Sequence, residues 1–245
     1  MELKLVADIH THTIMSGHAT GTIREMAMGA KENGIELLGI TDHAPGIPGT
    51  CDPFYFYSAK LAPRHYKGVD LIHGCEINVL TGGKLSLEDG YMKGLDYAIV
   101  GIHKECYEDE GIDKNTDNLI ECMKHPKVFF VSHPDDGATP LDYERVVLAA
   151  KEYHVALEVN NSSLIKTDRL NCVENITEML TLCMKYRVPI IISSDAHDPD
   201  WVGEVSRAKR FVEEFGFDEE LVLNTSQKKI KDFIHYNEAN VWKKG

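Results

Sequence analysis

Short apolar segments alternate along the chain with longer segments in which apolar residues recur at helical spacing. Most of the short segments are continuously apolar, which is typical of parallel strands that are covered on both faces. We therefore predict seven strands, at Lys4–Ile9, Leu37–Ile40, Asp70–Gly74, Tyr97–Gly101, Val128–Val131, Ala156–Val159 and Ile190–Ser193.

The longer segments predict helices between these strands. In the first of them, apolar or small residues recur from Ile23 to Ala30, and Gly34 follows where a left-handed residue often ends a helix. Two polar segments, 82–90 and 105–118, are predicted to be surface excursions. The predicted helices are Thr22–Asn33, Leu141–Tyr153, Asn171–Tyr186, Glu204–Phe215 and Ser226–Asn237.

This alternation predicts an α/β fold of repeated strand–helix units. An open doubly wound sheet and a closed barrel both fit such a repeat. The G-x-G-x-x-G fingerprint of an open dinucleotide-binding sheet is absent after the first strand, which runs directly into D-I-H-T-H at Asp8–His12. Since no low-complexity linker divides the 245 residues, we predict a single domain over 1–245.

Composition narrows the class of protein. The chain is 43% hydrophobic and 27% charged, as soluble globular proteins are, and no apolar run reaches the ~18 residues of a membrane helix. No basic, apolar leader opens it, and its six cysteines form no C-x-x-C pair, so we expect reduced thiols and a cytoplasmic protein without a membrane partner. The net charge of −13 argues against duplex nucleic acid as a partner. The oligomeric state is left open.

Twelve histidines are the unusual feature, and many of them follow predicted strands. The strand ends of a barrel open onto one face, so residues far apart in sequence would converge there. In H-x-H both imidazoles lie on one side of a strand. The potential metal ligands at these ends are His10, His12, His18, His43, Glu76, His103, His133, Asp195 and His197.

Nine ligands exceed the needs of one or two ions and suit three, with Glu76 able to bridge two of them. Imidazole and carboxylate ligands without thiolates fit Zn²⁺, Mn²⁺ or Fe²⁺. Asp42, beside His43, is predicted to orient an imidazole or to cap a surface turn. No metal role is predicted for the other histidines, His65, His73, His125, His154 and His235.

The motifs at these positions resemble the polymerase-and-histidinol-phosphatase (PHP) family, in an order similar to its small stand-alone bacterial phosphatases. The resemblance implies a distorted seven-stranded (β/α)7 TIM-like barrel with a trinuclear metal centre, usually of zinc. It also implies one ion on His10, His12, Glu76 and Asp195, a second on Glu76, His103 and His133, and a third on His18, His43 and His197. The motifs are D-I-H-T-H (8–12), S-G-H (16–18), T-D-H (41–43), G-C-E (74–76), G-I-H (101–103), S-H-P (132–134), E-V-N-N-S-S (158–163) and S-D-A-H (194–197).

Such a site predicts hydrolysis of a small phosphorylated substrate by metal-activated water. Glu76 and Asp195 would be catalytic through the metals, and Arg64 and Lys104 are the cations predicted near the mouth. Asn160 and Asn161 would donate hydrogen bonds to the phosphate or close a loop.

Three other functions stay open at this point. They are histidinol-phosphate phosphatase activity proper, a nuclease or phosphodiesterase acting on nucleotides or single strands, and a non-catalytic metal-binding protein. The segment 44–67 matches no specificity pattern, so the sequence does not identify the phosphate ester.

Overall fold

The computed structural model describes residues 2–236. Its strands are β1 (Ala7–Asp8), β2 (Leu37–Ile40), β3 (His65–Tyr66), β4 (Val69–His73), β5 (Glu76–Leu80), β6 (Lys84–Leu85), β7 (Ala98–Gly101), β8 (Val128–Val131), β9 (Ala156–Asn160) and β10 (Ile190–Ser193). Its helices are α1 (Ile23–Glu32), α2 (Phe54–Ser58), α3 (Asp89–Met92), α4 (Ile112–Met123), α5 (Tyr143–Tyr153), α6 (Cys172–Tyr186), α7 (Ser206–Phe215) and α8 (Gln227–Phe233). Short 3₁₀ turns connect several of them.

The strands form two mainly parallel sheets, in the orders β1-β2-β4-β3 and β10-β9-β8-β7-β5-β6. Among the described strands, only the short β3 and β6 pair antiparallel to their neighbours. Two residues, Gly74 and Cys75, separate β4 from β5, so one bent segment pairs first with β2 and then with β7. This bend joins the two sheets.

Single-residue bridges close the remaining gaps at the carboxyl ends of the strands. Thr11 bridges to Ala196 beyond β10, and His43 bridges to Glu76. The result is the distorted (β/α)7 barrel predicted from the sequence, with bridges in place of a continuous closed ladder within residues 2–236. No helix in that range is long and apolar enough to cross a membrane.

Large apolar side chains fill the interior of the barrel below the carboxyl ends. Ile9, Ile72, Ile99, Phe130 and Ile191 form one buried cluster there together with Tyr97, whose hydroxyl donates to the Ile9 carbonyl at 2.6 Å. Gly39 is required beside this ring, because a Cβ at that position would lie 2.1 Å from the Tyr97 hydroxyl. The packed interior leaves the upper end of the barrel for the polar residues.

The predicted strands and helices are largely found, with some differences. The first strand is shorter than predicted, and Glu76, predicted to lie at the end of the third strand, instead begins the separate strand β5. The prediction of a surface excursion over 105–118 is wrong in part, since α4 begins at Ile112. The last predicted helix is present as α8, and its predicted end at Asn237 lies outside the described residues.

Candidate metal centre

The barrel brings the nine predicted ligands together at the carboxyl ends of its strands. They follow β1, β2, β7, β8 and β10, and Glu76 is the first residue of β5. His10, His12 and Glu76 are almost completely buried, whereas His18 lies at the exposed rim. Side chains that are nearly 190 positions apart thus share one cluster.

The two carboxylate oxygens of Glu76 face different imidazoles. Oε1 lies 3.3 Å from His103 Nε2 and 3.0 Å from His133 Nε2. Oε2 faces three other ring nitrogens, those of His10 (Nε2, 3.3 Å), His12 (Nε2, 3.5 Å) and His43 (Nδ1, 2.9 Å). The carboxylate therefore lies between two sets of ligands.

Asp195 occupies the other side of His12. Its Oδ1 lies 3.3 Å from His12 Nε2 and 3.7 Å from His10 Nε2. His197 Nδ1 is 3.6 Å from the same oxygen, and His197 Nε2 is 3.0 Å from His18 Nε2. The cluster continues in this way from the buried Glu76 to the rim.

Several ligand atoms are buried and have no hydrogen-bond partner among the described residues. They are His10 Nε2, His12 Nε2, His43 Nδ1 and Glu76 Oε2. A buried polar atom without a partner costs roughly 1–3 kcal/mol, and four such atoms converging on one space fit a bound cation. The donor set, imidazole and carboxylate, suits borderline divalent metals such as zinc.

Three groups of side chains offer ligand atoms within 4.8 Å of one another. They are His10, His12 and Glu76; His43, Glu76 and His103; and His12, His43 and His197. The first group lies within the set that the family resemblance implies for one ion. The second group differs from the implied set because it contains His43 in place of His133, and the third because it contains His12 in place of His18.

Hydrogen bonds on the far side of three imidazoles aim their Nε2 atoms into the cluster. Nδ1 of His10 lies 2.7 Å from Glu158 Oε1, and Nδ1 of His103 lies 2.7 Å from Asn78 Oδ1. Because each of these oxygens accepts, each Nδ1 carries a proton, and Nε2 is the ring nitrogen that faces the cluster.

Ser16 orients His12 in the same way. Its hydroxyl donates to Asp42 Oδ1 at 2.7 Å and lies 3.0 Å from His12 Nδ1. Since the single hydroxyl proton is given to the carboxylate, His12 Nδ1 must donate to Ser16. Asp42 also accepts from Tyr55 and Thr13. Asp42 therefore orients an imidazole through Ser16, without touching a ring itself.

The electrostatics set the charges of the ligands. Burial raises the pKa of the Glu76 carboxyl, but the neighbouring histidines, His10 first, outweigh it and hold that pKa well below its usual range. Burial likewise opposes ionisation of Asp195, yet Lys166 and His10 hold its pKa well below the usual value. Burial, followed by Arg169, lowers the pKa of His133 to about 4. Near neutral pH these groups are charged carboxylates and a neutral imidazole, as metal ligands are.

His10 behaves differently because acids surround it. Burial lowers its pKa, but Glu158, Glu76 and Asp195 outweigh that effect and raise the pKa well above the usual value. A proton on His10 thus neutralises part of this negative charge in the bare protein. A divalent cation between the same groups would neutralise it without the proton.

Two of the ligands have a backbone conformation that is unusual for side-chain-bearing residues. The φ angles of His133 and Asp195 are 30° and 57°, in the left-handed region. Hydrogen bonds hold both residues there: the His133 N–H donates to Glu158 Oε2 at 2.7 Å, and the Asp195 N–H donates to the His10 carbonyl at 3.1 Å. Such conformations often occur at functional sites because the surrounding structure enforces them.

The two predicted cations are placed differently from the ligands. Arg64 pairs with Asp96 just ahead of β7, whereas the site begins at His103 beyond the other end of that strand. Lys104 lies next to His103, but its side chain is 79% exposed and its nearest acid is Asp168, 3.8 Å away. The structure therefore does not bring Arg64 into the cluster and leaves Lys104 on the surface beside it.

The two predicted asparagines have partners within the protein. Asn160 Nδ2 donates to Glu158 Oε2 at 3.0 Å and lies 3.4 Å from Asp195 Oδ2. Asn161 Oδ1 accepts from the backbone N–H groups of Arg207 and Ala208 at the start of α7. Asn161 thus caps a helix, which agrees with the loop-closing alternative.

Sequence reasoning missed the two cations that do reach the cluster. Arg169, whose side chain is only 11% exposed, donates to Asp195 Oδ2 at 3.3 Å and to Ser163 Oγ at 2.6 Å. Lys166 Nζ lies 3.5 Å from the same Asp195 oxygen. Their position soon after the strand-end motif E-V-N-N-S-S was the available signal, because that loop had to border the site.

An α/β barrel with imidazoles and carboxylates clustered at its strand ends is typical of metal-binding barrel proteins. Within that class the chain belongs to the PHP domain family, whose model matches residues 8–237. A probable phosphatase of Clostridium novyi (strain NT) is 39% identical over 233 residues, which are 95% of each chain. A probable phosphatase of Caldanaerobacter subterraneus subsp. tengcongensis is 40% identical over 237 residues, 96% of this chain and 92% of that one.

Solved structures with low sequence identity share the fold. Histidinol phosphate phosphatase from Lactococcus lactis subsp. lactis, complexed with zinc, L-histidinol and phosphate, superimposes with a TM-score of 0.61 at 14% identity, over 86% of this chain and 94% of that one. A chain of archaeal ribonuclease P with mature tRNA gives the same TM-score at 16% identity, over 93% and 90% of the two chains. At these identities the likeness concerns the fold alone.

Proposed function

We propose that the protein is a metal-dependent phosphatase that hydrolyses small phosphomonoesters at a centre of three divalent cations, zinc foremost. The observation that carries the proposal is Glu76, whose two buried oxygens face separate sets of imidazoles, while its Oε2 and three ring nitrogens around it lack hydrogen-bond partners among the described residues. The naming of relatives as probable phosphatases and the zinc and phosphate bound by the Lactococcus lactis enzyme support the same chemistry.

In this proposal Glu76 would serve two of the ions, and a third set of histidines, which extends from the buried His43 to the exposed His18, would hold the third. His10, His12 and Asp195 complete the first set, and His103 and His133 the second. His18, His43 and His197 form the third set, with His43 close enough to Glu76 to border two ions. Bound divalent cations would lower the pKa of water and neutralise phosphoryl charge.

The protein's own residues bind and orient the reacting groups. Arg169 presents a guanidinium at the edge of the cluster, and such a planar fork matches two phosphoryl oxygens. Lys166 adds a second positive charge on the same side of Asp195. Glu158, Asn78 and Ser16 fix the imidazole rings, so the site is organised before substrate arrives.

The six cysteines are unpaired in the described structure, which supports the reduced, cytoplasmic setting that we include in the proposal. Small phosphorylated metabolites are the substrates expected there.

Metal content and activity together test the function. Protein purified without chelator is expected to contain about three transition-metal ions per chain, to hydrolyse phosphomonoesters at neutral to alkaline pH, and to lose activity on chelation. Arg169→Ala is expected to lower kcat/KM about 100-fold with the metal content unchanged, since one charged donor is lost. Arg145→Ala is the matched control, because Arg145 pairs with Asp113 and Asp117 on the surface.

Different results would contradict different parts of the proposal. A reproducible content of one ion or fewer in active protein would overturn the trinuclear centre. Cleavage of phosphodiesters faster than of any monoester would favour the nuclease alternative.

A further inference from the structure

A pocket of about 470 Å³ opens directly beside the metal centre. His18, Asp195 and His197 form its inner wall, so ligands of the centre are also walls of the pocket. Lys166 lines the same side. If the proposed function holds, a phosphate bound at the centre would direct its ester group into this space.

The outer wall of the pocket is apolar. Trp201 and Ile165 line it, and they are 57% and 44% exposed. Trp201 ends the turn Pro199–Trp201, which packs tightly against α1: a Cβ at Gly29 would lie 2.0 Å from the Pro199 carbonyl oxygen. The indole is therefore a large apolar surface on a fixed support, open to the pocket.

Two carboxylates, those of Asp198 and Glu204, also line the pocket. Asp198 accepts from Thr20 and from the Asp200 N–H, and Glu204 accepts from Ser206. Neither has an ion pair with a lysine, arginine or histidine within residues 2–236. With the proposed cations bound, the pocket would be positive near the metal centre and Lys166, whereas Asp198 and Glu204 add negative charge within three residues of Trp201.

We infer that this pocket holds the alcohol part of the substrate, and that it selects a planar aromatic group without a further negative charge. The indole face of Trp201 and the side chain of Ile165 can cover such a ring on its apolar faces. A second phosphate or a carboxylate on the alcohol would face Asp198 and Glu204 and be repelled. Nucleoside di- and triphosphates and sugar bisphosphates are disfavoured for that reason.

Binding of phosphonates tests the aromatic part of the inference without turnover. In the metal-loaded protein, calorimetry is expected to show that Trp201→Ala weakens phenylphosphonate about tenfold, as loss of one ring-stacking contact does, and leaves methylphosphonate unchanged. Trp201→Phe should restore most of the affinity. Phe54→Ala is the matched control, since Phe54 is a 62% exposed aromatic residue outside this pocket.

Turnover of a matched substrate pair tests the charge selection. Wild-type kcat/KM should be higher for 4-carbamoylphenyl phosphate than for 4-carboxyphenyl phosphate, and Asp198→Asn combined with Glu204→Gln should narrow that ratio at least about threefold. Comparing ratios cancels effects of the substitutions on folding and on the chemical step. The difference in this ratio between the wild type and the double variant should also become smaller at high salt, because surface charges are screened.

The outcomes separate this inference from the proposed function. If the wild type hydrolyses monoesters but Trp201→Ala weakens both phosphonates equally or neither, the pocket does not hold the alcohol and the phosphatase function stands. If the ratio of kcat/KM for the carbamoyl and carboxy substrates is the same in the wild type and the double variant, the inferred selection against anions is wrong. If no monoester is hydrolysed and neither phosphonate binds, both proposals fall.

Discussion

At the scale of single residues, Glu76 and His18 occupy opposite extremes of the cluster. Glu76 is buried and faces five imidazoles with its two oxygens, whereas His18 is exposed and contacts the cluster through His197. We predict that Glu76→Gln loses more than one metal ion per chain, because the amide removes a bridging charge. His18→Ala should lose at most one.

Elemental analysis of gel-filtered protein measures both losses. His65→Ala is the control, because His65 pairs with Asp70 on the surface and should leave the content unchanged. Equal losses in the Glu76 and His18 variants would argue against a bridging carboxylate.

The same scale shows which site residues a sequence can predict. The clustering of the nine candidate ligands could be predicted because H-x-H and strand-end residues have positions fixed by the period of a strand. Their orienting partners could not, since Asn78 reaches His103 only through the bend between β4 and β5. The position of the cations could not be predicted for a similar reason, since only the folded chain shows that Arg64 pairs with Asp96 while Arg169 reaches Asp195.

At the scale of elements, the apolar pattern predicted those strands and helices whose buried face consists of apolar residues. Helix α1 is found between Thr22 and Asn33, with Thr22 and Glu25 forming a capping box. Helix α4 was missed because two of its buried positions are polar. Asn115 donates to Asp109 and to the Pro140 carbonyl, and Thr116 donates to the Ile112 carbonyl, so hydrogen bonds take the place of apolar contacts in the first part of the helix, ahead of the buried Leu119 and Met123.

His73, at the end of β4, should make the stability of the folded protein depend on pH. Its ring lies 2.8 Å from the Pro63 carbonyl, and burial, followed by the charge of Arg64, lowers its pKa to about 4. The unfolded chain takes up this proton near pH 6.5 and the folded chain only near pH 4. Stability that is present above about pH 6.5 is therefore lost as the pH falls towards 4.

We predict that from pH 7 to pH 5 the wild type loses about 2 kcal/mol more free energy of unfolding than His73→Gln does. Glutamine can still donate to Pro63 but does not titrate. Denaturant unfolding of both proteins at both pH values measures the difference, and the acid sensitivity of the metal ligands cancels in the comparison. Parallel losses in the two proteins would mean that His73 titrates normally.

At the scale of the whole molecule, the net charge of −13 surrounds the site at which we propose that phosphate binds. A single phosphate would interact mainly with the proposed ions, Arg169 and Lys166, because surface carboxylates are screened beyond a Debye length of about 8 Å at physiological salt. An extended polyanion also crosses the acidic surface, so each added phosphate increases the repulsion. The net charge is therefore expected to select against long polyanionic substrates more than to alter the reaction itself.

We therefore predict that removal of a 5′-phosphate from single-stranded oligonucleotides slows as their length increases, relative to the mononucleotide. The difference should be large at about 20 mM salt and small at about 200 mM, where the repulsion is screened. Phosphate release from a length series at both salt concentrations measures it, and Asp195→Asn should reduce every rate in the series alike, since it removes a charge from the metal site. Internal cleavage of the oligonucleotides that is faster than the best monoester reaction, and that is abolished by Asp195→Asn, would instead identify the same centre as a nuclease.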